Sequence, residues 1–251
     1  MPRYNYGLIK SPQTPRKVNR NTAGFIFQRS TSSIDLLEGK DETKLTFVSH
    51  YSQGRVAQTG LFANASNSVK RVVKQPVIFN YGPNVIAAEI QNFKNERDKW
   101  NIYYPNNPAI LVTDASRADG GIRLILPWVP GKTYTNVATD DPLLRSKHLL
   151  AIACAFLELN EKGLFFYDFN EDNVLLDENA DGTFKAYLID FGGVGKTTCG
   201  QELGFLLRHV SCQTDRHSHI DSIQNIISIL HERIAILSSH NIAQSNVHRT
   251  R

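Results

Sequence analysis

The stretch FFYDFNEDNVLLDENADGTFKAYLIDFGGV, residues 165–194, carries the side chains best suited to chemistry in this chain. Asp168 is followed five residues later by Asn173 and then by the apolar run VLL. A second apolar run, AYLI, ends at Asp190, with Phe191 and Gly192 next. Two carboxylates and an amide are hard-oxygen groups of the kind magnesium prefers. Phosphoryl transfer from ATP asks for little more: oxygens that hold the metal against the phosphates, and a carboxylate that orients the attacking hydroxyl. Asp168, in the loop, suits the hydroxyl. Asn173, at the end of that loop, and Asp190, at the mouth of a neighbouring strand, suit the metal. Asp and Asn are also common in plain turns. That explanation needs the spacing, the flanking strands and the Phe-Gly pair to coincide.

The surrounding pattern supplies elements that could hold these groups. Residues 1–40 are polar, rich in Ser, Thr, Asn and Arg, and read as a disordered basic tail. From Lys44 the runs KLTFVSHY, TGLFAN and SVKRVVKQPVIF are β-type segments broken by Gly, Asn and Ser. Residues 84–100 place Ile86, Ile90 and Phe93 at helical spacing, with Asn84 as a candidate cap. AILVTDA and GIRLILPWV read as strands joined at Asp119-Gly120-Gly121. A helix follows Asp140-Asp141-Pro142 and ends at Gly163. NVLLD and FKAYLID form a hairpin through Glu178–Thr183, and a last helix runs near 220–238. The order predicts an α+β chain in two parts with a cleft between them. Residues 41–126 are β-rich with one helix, residues 127–240 are helix-rich, and 241–251 form a flexible tail. A hinge falls near Pro127–Gly131.

The spacing D-x-x-x-x-N, the apolar run and D-F-G resemble the catalytic loop and metal-binding motif of the protein kinase superfamily. The resemblance extends over roughly residues 45–230 and is specific between about 166 and 193. It implies a bilobal kinase-like fold with a β-rich N-lobe and a reduced helical C-lobe. It implies ATP with Mg2+ or Mn2+ as cofactors, Asp168 as the catalytic-loop aspartate, and Asn173 and Asp190 as metal ligands. Phe166 and Tyr167 stand where the family usually has His and Arg. Control through a phosphorylated activation loop is therefore not expected. The family's strand lysine, which neutralises the α- and β-phosphates and pairs with a helix glutamate, is expected at Lys70, with Lys74 second. Its partner is expected at Glu96 rather than Glu89.

Gly54, at the tip of SQGRVAQTG with Gly60 after it, stands for the phosphate-covering loop, whose backbone amides approach phosphate. LILPWVPGKTY resembles the strand-to-hinge segment, with Leu126 lining the pocket and adenine meeting the Pro127 carbonyl and the Val129 amide. Asp221 resembles the buried helix aspartate that braces the catalytic loop, although a helix N-cap explains it equally well. The compact helical part, and VPG after the hinge strand, resemble kinases that pathogenic bacteria inject into host cells. On that resemblance the acceptor is a Ser or Thr of a protein, a host protein included, and a host activator could complete the reduced C-lobe. The polar first 40 residues would serve export into the host cytosol. Without export, the cytoplasm is the expected location.

Three other readings compete. FGGVGKTT, residues 191–198, could be a phosphate loop opening the helix ELGFLLRHV, but Asp190 sits where the first glycine of that motif belongs. Aminoglycoside-phosphotransferase-like kinases share the Asp-Asn-Asp pattern but usually lack Phe after the last Asp. A nucleotide-binding pseudokinase would explain the sparse glycine loop, but not the presence of all three polar groups. Composition narrows the rest. Lys and Arg number 28 against 24 Asp and Glu, a net charge of +4, which gives no strong nucleic-acid signal. Cys154, Cys199 and Cys212 have neither metal-ligand spacing nor an even disulfide framework. No apolar run approaches the roughly 20 residues of a transmembrane segment.

Overall fold

The computed structural model describes residues 33–38, 41–53, 57–76, 83–112, 122–196, 200–210 and 218–249. The predicted tail up to residue 32, Gly54, the turn at Asp119-Gly120-Gly121, Cys199 and Cys212 lie outside them. The chain is α+β. Among the described residues its largest sheet has six strands, β1 (Ser33–Glu38), β2 (Asp41–Gln53), β3 (Ala57–Ala63), β4 (Lys70–Pro76), β5 (Ile110–Val112) and β6 (Arg123–Pro127). They lie in the order β1-β2-β3-β4-β6-β5, with every neighbouring pair antiparallel. Helix α1 (Pro83–Tyr103) connects β4 to β5. It begins at Pro83, so Asn84 lies inside its first turn rather than capping it. Strand β1 falls within the stretch expected to be tail, because its backbone pairs residue for residue with β2.

Strand alternation divides the sheet's two faces. Leu45, Phe47, Phe62, Val73 and Ile125 form a small core on one face. Val72, Leu124 and Leu126 belong to the other face and join the main core. Lys70 and Lys74 share the parity of Val72, so both stand on that second face.

The remaining elements are β7 (Lys132–Thr133), α2 (Tyr134–Val137), α3 (Pro142–Glu161), β8 (Phe165–Phe166), β9 (Val174–Glu178), β10 (Phe184–Leu188), β11 (Val194–Gly195), α4 (Gln201–Val210) and α5 (His219–Arg249). Asp141 caps α3 by accepting from the Leu143 and Leu144 N–H groups at 2.8 and 2.9 Å, with Pro142 first in the helix. Gly163 ends it at φ +70°, where its N–H reaches the Asn160 carbonyl and that of Leu164 reaches Leu159. This is the paired-bond helix stop that favours glycine. Helix α5 continues to Arg249, through the segment expected to be a tail. Among the described residues, no helix is long and apolar enough to cross a membrane.

The main core is aromatic where it meets the loops after α3. Phe156, Phe166 and Phe205 are fully buried, and Phe169 packs against all three at 5.2–5.5 Å between ring centroids. Such tilted and edge-on pairs add to the burial of the rings themselves.

Candidate active site

Asp190, Asn173 and Asp168 lie on separate backbone segments that hydrogen bonds pull together. The Ile189 N–H, one residue before Asp190, donates to the Asn173 carbonyl at 2.9 Å. The Gly193 carbonyl, three residues after Asp190, accepts from the N–H groups of Tyr167 at 2.9 Å and Asp168 at 3.2 Å. The Tyr167 hydroxyl donates to the Gly192 carbonyl at 2.6 Å. Strands β8 and β11, paired at Phe166 and Val194, extend the same junction. Gly193 is required here, because a Cβ at that position would stand 2.7 Å from the Asp168 carbonyl oxygen. Tyr167 thus ties the loop of Asp168 to the segment after Asp190.

Asp190 adopts the left-handed conformation, φ 59° and ψ 64°. Aspartate enters that region more readily than most residues, and such strain persists where the surroundings fix it. Phe191 is the fixing point. It is fully buried against Trp100 and Tyr103 of α1, each 5.5 Å away between centroids, and against Tyr104 at 6.0 Å. Tyr104 completes the dock: its hydroxyl donates to the Leu188 carbonyl and accepts from the Leu188 N–H, both at 3.0 Å.

That dock brings α1 and β4 to the site. Lys74 Nζ lies 2.5 Å from Glu96 Oε1 and 2.9 Å from Asp190 Oδ1. The Lys74 and Glu96 side chains are 13% and 6% exposed, whereas Asp190 is 52% exposed. Burial alone would lower the Lys74 ammonium, but the two carboxylates outweigh it and hold the group above its ordinary value. Burial would likewise raise the Asp190 carboxyl, and Lys74, aided by the Gly192 N–H, holds it below the usual carboxylate range. The expected pairing of Lys70 with Glu96 does not form. Lys70 stands four residues back along β4, its ammonium 4.8 Å from the ring centre of Trp128. Glu96, not Glu89, meets the strand lysine.

Two residues that sequence reasoning missed hold the loop of Asp168. Glu202, in the first turn of α4, is fully buried and accepts from the Phe166 N–H at 3.2 Å and from Asn160 Nδ2 at 2.8 Å. Burial pushes its carboxyl up, opposed by those hydrogen bonds and by His219, 3.6 Å away. Gln201 Oε1 accepts from the Phe169 N–H at 3.0 Å. Asp221 does not brace this loop. It forms a reciprocal cap with Ser218 at the start of α5, accepting from the Ser218 hydroxyl at 2.7 Å while its own N–H donates back at 3.2 Å.

The phosphate-loop alternative at 191–198 loses its context. Phe191–Gly193 is a short 3-10 turn and Val194–Gly195 a strand paired with β8 rather than an open loop, and Thr197 and Thr198 lie outside the described residues. Leu126 is buried opposite Val72 in the β4–β6 ladder. The Trp128 N–H donates to the Lys70 carbonyl at 3.4 Å. Alternation therefore turns the Pro127 carbonyl away from β4, and the half-buried Val129 follows.

The donor set suits magnesium in kind. Among the described residues, no group of three or more His, Cys, Asp or Glu gathers to hold a metal alone. Asp190 and Asn173 are two oxygen donors on adjoining backbone. Magnesium bound through one or two protein groups, with phosphates and water completing its shell, needs no more.

No protein-family model matches the chain. It is 43% identical over 68 residues to a probable serine/threonine-protein kinase of Dictyostelium discoideum, a match covering 24% of this chain. The chain spans 13% of that relative's length. The likeness hints at a kinase relationship over the matched stretch.

Proposed function

We propose that the chain has a bilobal, kinase-like fold and transfers the γ-phosphoryl group of ATP, with Mg2+ or Mn2+, to a Ser or Thr hydroxyl of a protein. One observation carries this reading: Lys74 bridges Glu96 of α1 and Asp190, on a junction whose backbone also holds Asn173 and Asp168. Phosphoryl transfer depends on positioning and on charges aimed at the phosphates, and the lysine–glutamate pair with a metal-binding aspartate is a recurrent way to supply them.

In this reading Lys74, fixed by Glu96, holds the phosphates, and Asp190 and Asn173 hold the cation. When bound, that cation neutralises phosphate charge. Asp168, exposed at the loop, accepts the hydrogen bond of the incoming hydroxyl and orients it. Glu202 and Gln201 fix the backbone on either side of Asp168, which keeps its position within the small tolerance that catalysis allows. The likeness to a probable serine/threonine-protein kinase of Dictyostelium discoideum favours a protein acceptor over a small molecule. Action inside a host cell, and completion of the site by a host activator, rest on the resemblance to injected bacterial kinases alone.

The test is magnesium-ATP transfer to a generic protein substrate by wild type and Asp190→Ala, with and without host-cell extract. Wild type should incorporate phosphate and Asp190→Ala should lose most of it, by about 100-fold or more. Equal incorporation by the two proteins would refute the mechanism.

A further inference from the structure

Trp128 and Tyr51 are large aromatic side chains left 38% and 52% exposed. They are nonetheless held in place. The Trp128 indole N–H donates to the Tyr51 hydroxyl at 3.1 Å. The Lys70 ammonium lies 4.8 Å over the indole face, and the Trp128 backbone N–H is anchored on the Lys70 carbonyl. Tyr51 is on β2 and Lys70 on β4, with β3 between them. The indole therefore lies across the sheet rather than off its end. A ring ordered by three contacts, yet open to water, has the form of a stacking platform.

Its position says what would stack. Lys70, Val72 and Lys74 share one face of β4, and Lys70 is roughly 13 Å from Lys74 by the rise of a strand. Lys74 marks the phosphate end of the proposed site. The platform is then displaced along the same face by about the length of an extended nucleoside triphosphate. Resting on the nucleotide reading above, we propose that Trp128, oriented by Tyr51 and Lys70, forms an aromatic bracket that stacks on the purine base of the bound nucleotide. Lys70 thereby acts at the base end of the site. An aromatic face is a sequence-tolerant partner for a base, and its loss typically weakens binding by about tenfold or more.

The test separates base from phosphate. Full-length wild type and Trp128→Ala are titrated by calorimetry with magnesium-ATP and with magnesium tripolyphosphate, which carries the phosphates without a base. Trp128→Ala should bind magnesium-ATP about tenfold more weakly and leave tripolyphosphate affinity unchanged. Emission gives a second measurement that needs no variant. The chain has two tryptophans, and Trp100 is only 1% exposed, so Trp128 is the one in reach of ligand. Wild-type fluorescence should change with magnesium-ATP and stay constant with tripolyphosphate. If Trp128→Ala weakens both ligands equally, or neither, the bracket is wrong and the phosphotransfer site stands. If wild type binds neither ligand, the nucleotide reading falls and the bracket falls with it.

Discussion

Replacing Lys74 by Met should separate it from Lys70 in both stability and activity. Methionine keeps most of the lysine stem's packing and removes the charge. Glu96, 6% exposed, would then be a buried carboxylate without its ammonium. Breaking a buried pair from one side costs about 3–5 kcal/mol. The contact with Asp190 adds little, because that carboxylate is half exposed and screened. We therefore expect a loss near the lower end, about 3 kcal/mol. A lysine held above its ordinary value contributes this fully at any pH below the unfolded value of about 10.4, and loses it only as pH rises past the folded one. Urea unfolding at neutral pH reads all of it. Lys70→Met removes only the half-buried ammonium over Trp128, worth about 1 kcal/mol. In a phosphotransfer assay Lys74→Met should fall by about 100- to 1,000-fold. Adding Glu96→Gln to Lys74→Met removes the orphaned charge. The double variant should then be about 1–3 kcal/mol more stable than the sum of the two single losses predicts, and no more active. The reasoning is refuted if Lys70→Met matches Lys74→Met in either measurement, or if the two losses simply add.

Three further outcomes follow from local geometry. Gly193→Ala places a Cβ 2.7 Å from the Asp168 backbone oxygen, and backbone cannot yield cheaply. It should cost about 1–3 kcal/mol in thermal or urea unfolding and lower activity beyond that. Gly204→Ala, within α4 and with nothing inside 4 Å, should instead stabilise by about 0.5–1 kcal/mol. Burial lowers His148, which packs edge-on against Phe184 at 4.4 Å, despite the opposing pull of Glu178. Below the unfolded histidine value of about 6.5 the unfolded chain binds the extra proton, so stability falls as pH falls from there toward the lower folded value. Urea midpoints measured from pH 7 to 5 should decline less steeply in His148→Gln than in wild type, and equal slopes would contradict the assignment.

What could be read from the sequence, and what could not, follows from the distance over which each feature is encoded. Asp168, Asn173 and Asp190 sit around one hairpin, so their spacing, the apolar strands and the turn at Gly182 report a local arrangement. The same holds for Asp141 capping α3 and Gly163 ending it. Lys74 is different. Its bond to Asp190 spans 116 residues, and both candidate lysines lie on the same face of one strand, so period-two alternation cannot choose between them. The usable signal was the pair Val72-Val73 directly before Lys74, closer to the V-A-I-K pattern than the lone Val69 before Lys70. Only the docking of α1 through Trp100, Tyr103 and Phe191 decides which lysine Glu96 meets. Glu202 had no comparable signal. An acid in the first turn of a helix reads as a complement to the helix dipole, and nothing in its neighbours announces that it faces the Phe166 amide. Asp221 stood open between a kinase-like brace and an N-cap, which share one residue type, and its bonds with Ser218 decide for the cap. The Asp190 carboxylate was therefore legible, whereas Lys74, the cation that balances it, and Glu202, the acid that steadies the loop of Asp168, are set by packing between elements distant in the chain. A substitution that loosens α1 from Phe191 should disturb the site without touching any residue in it.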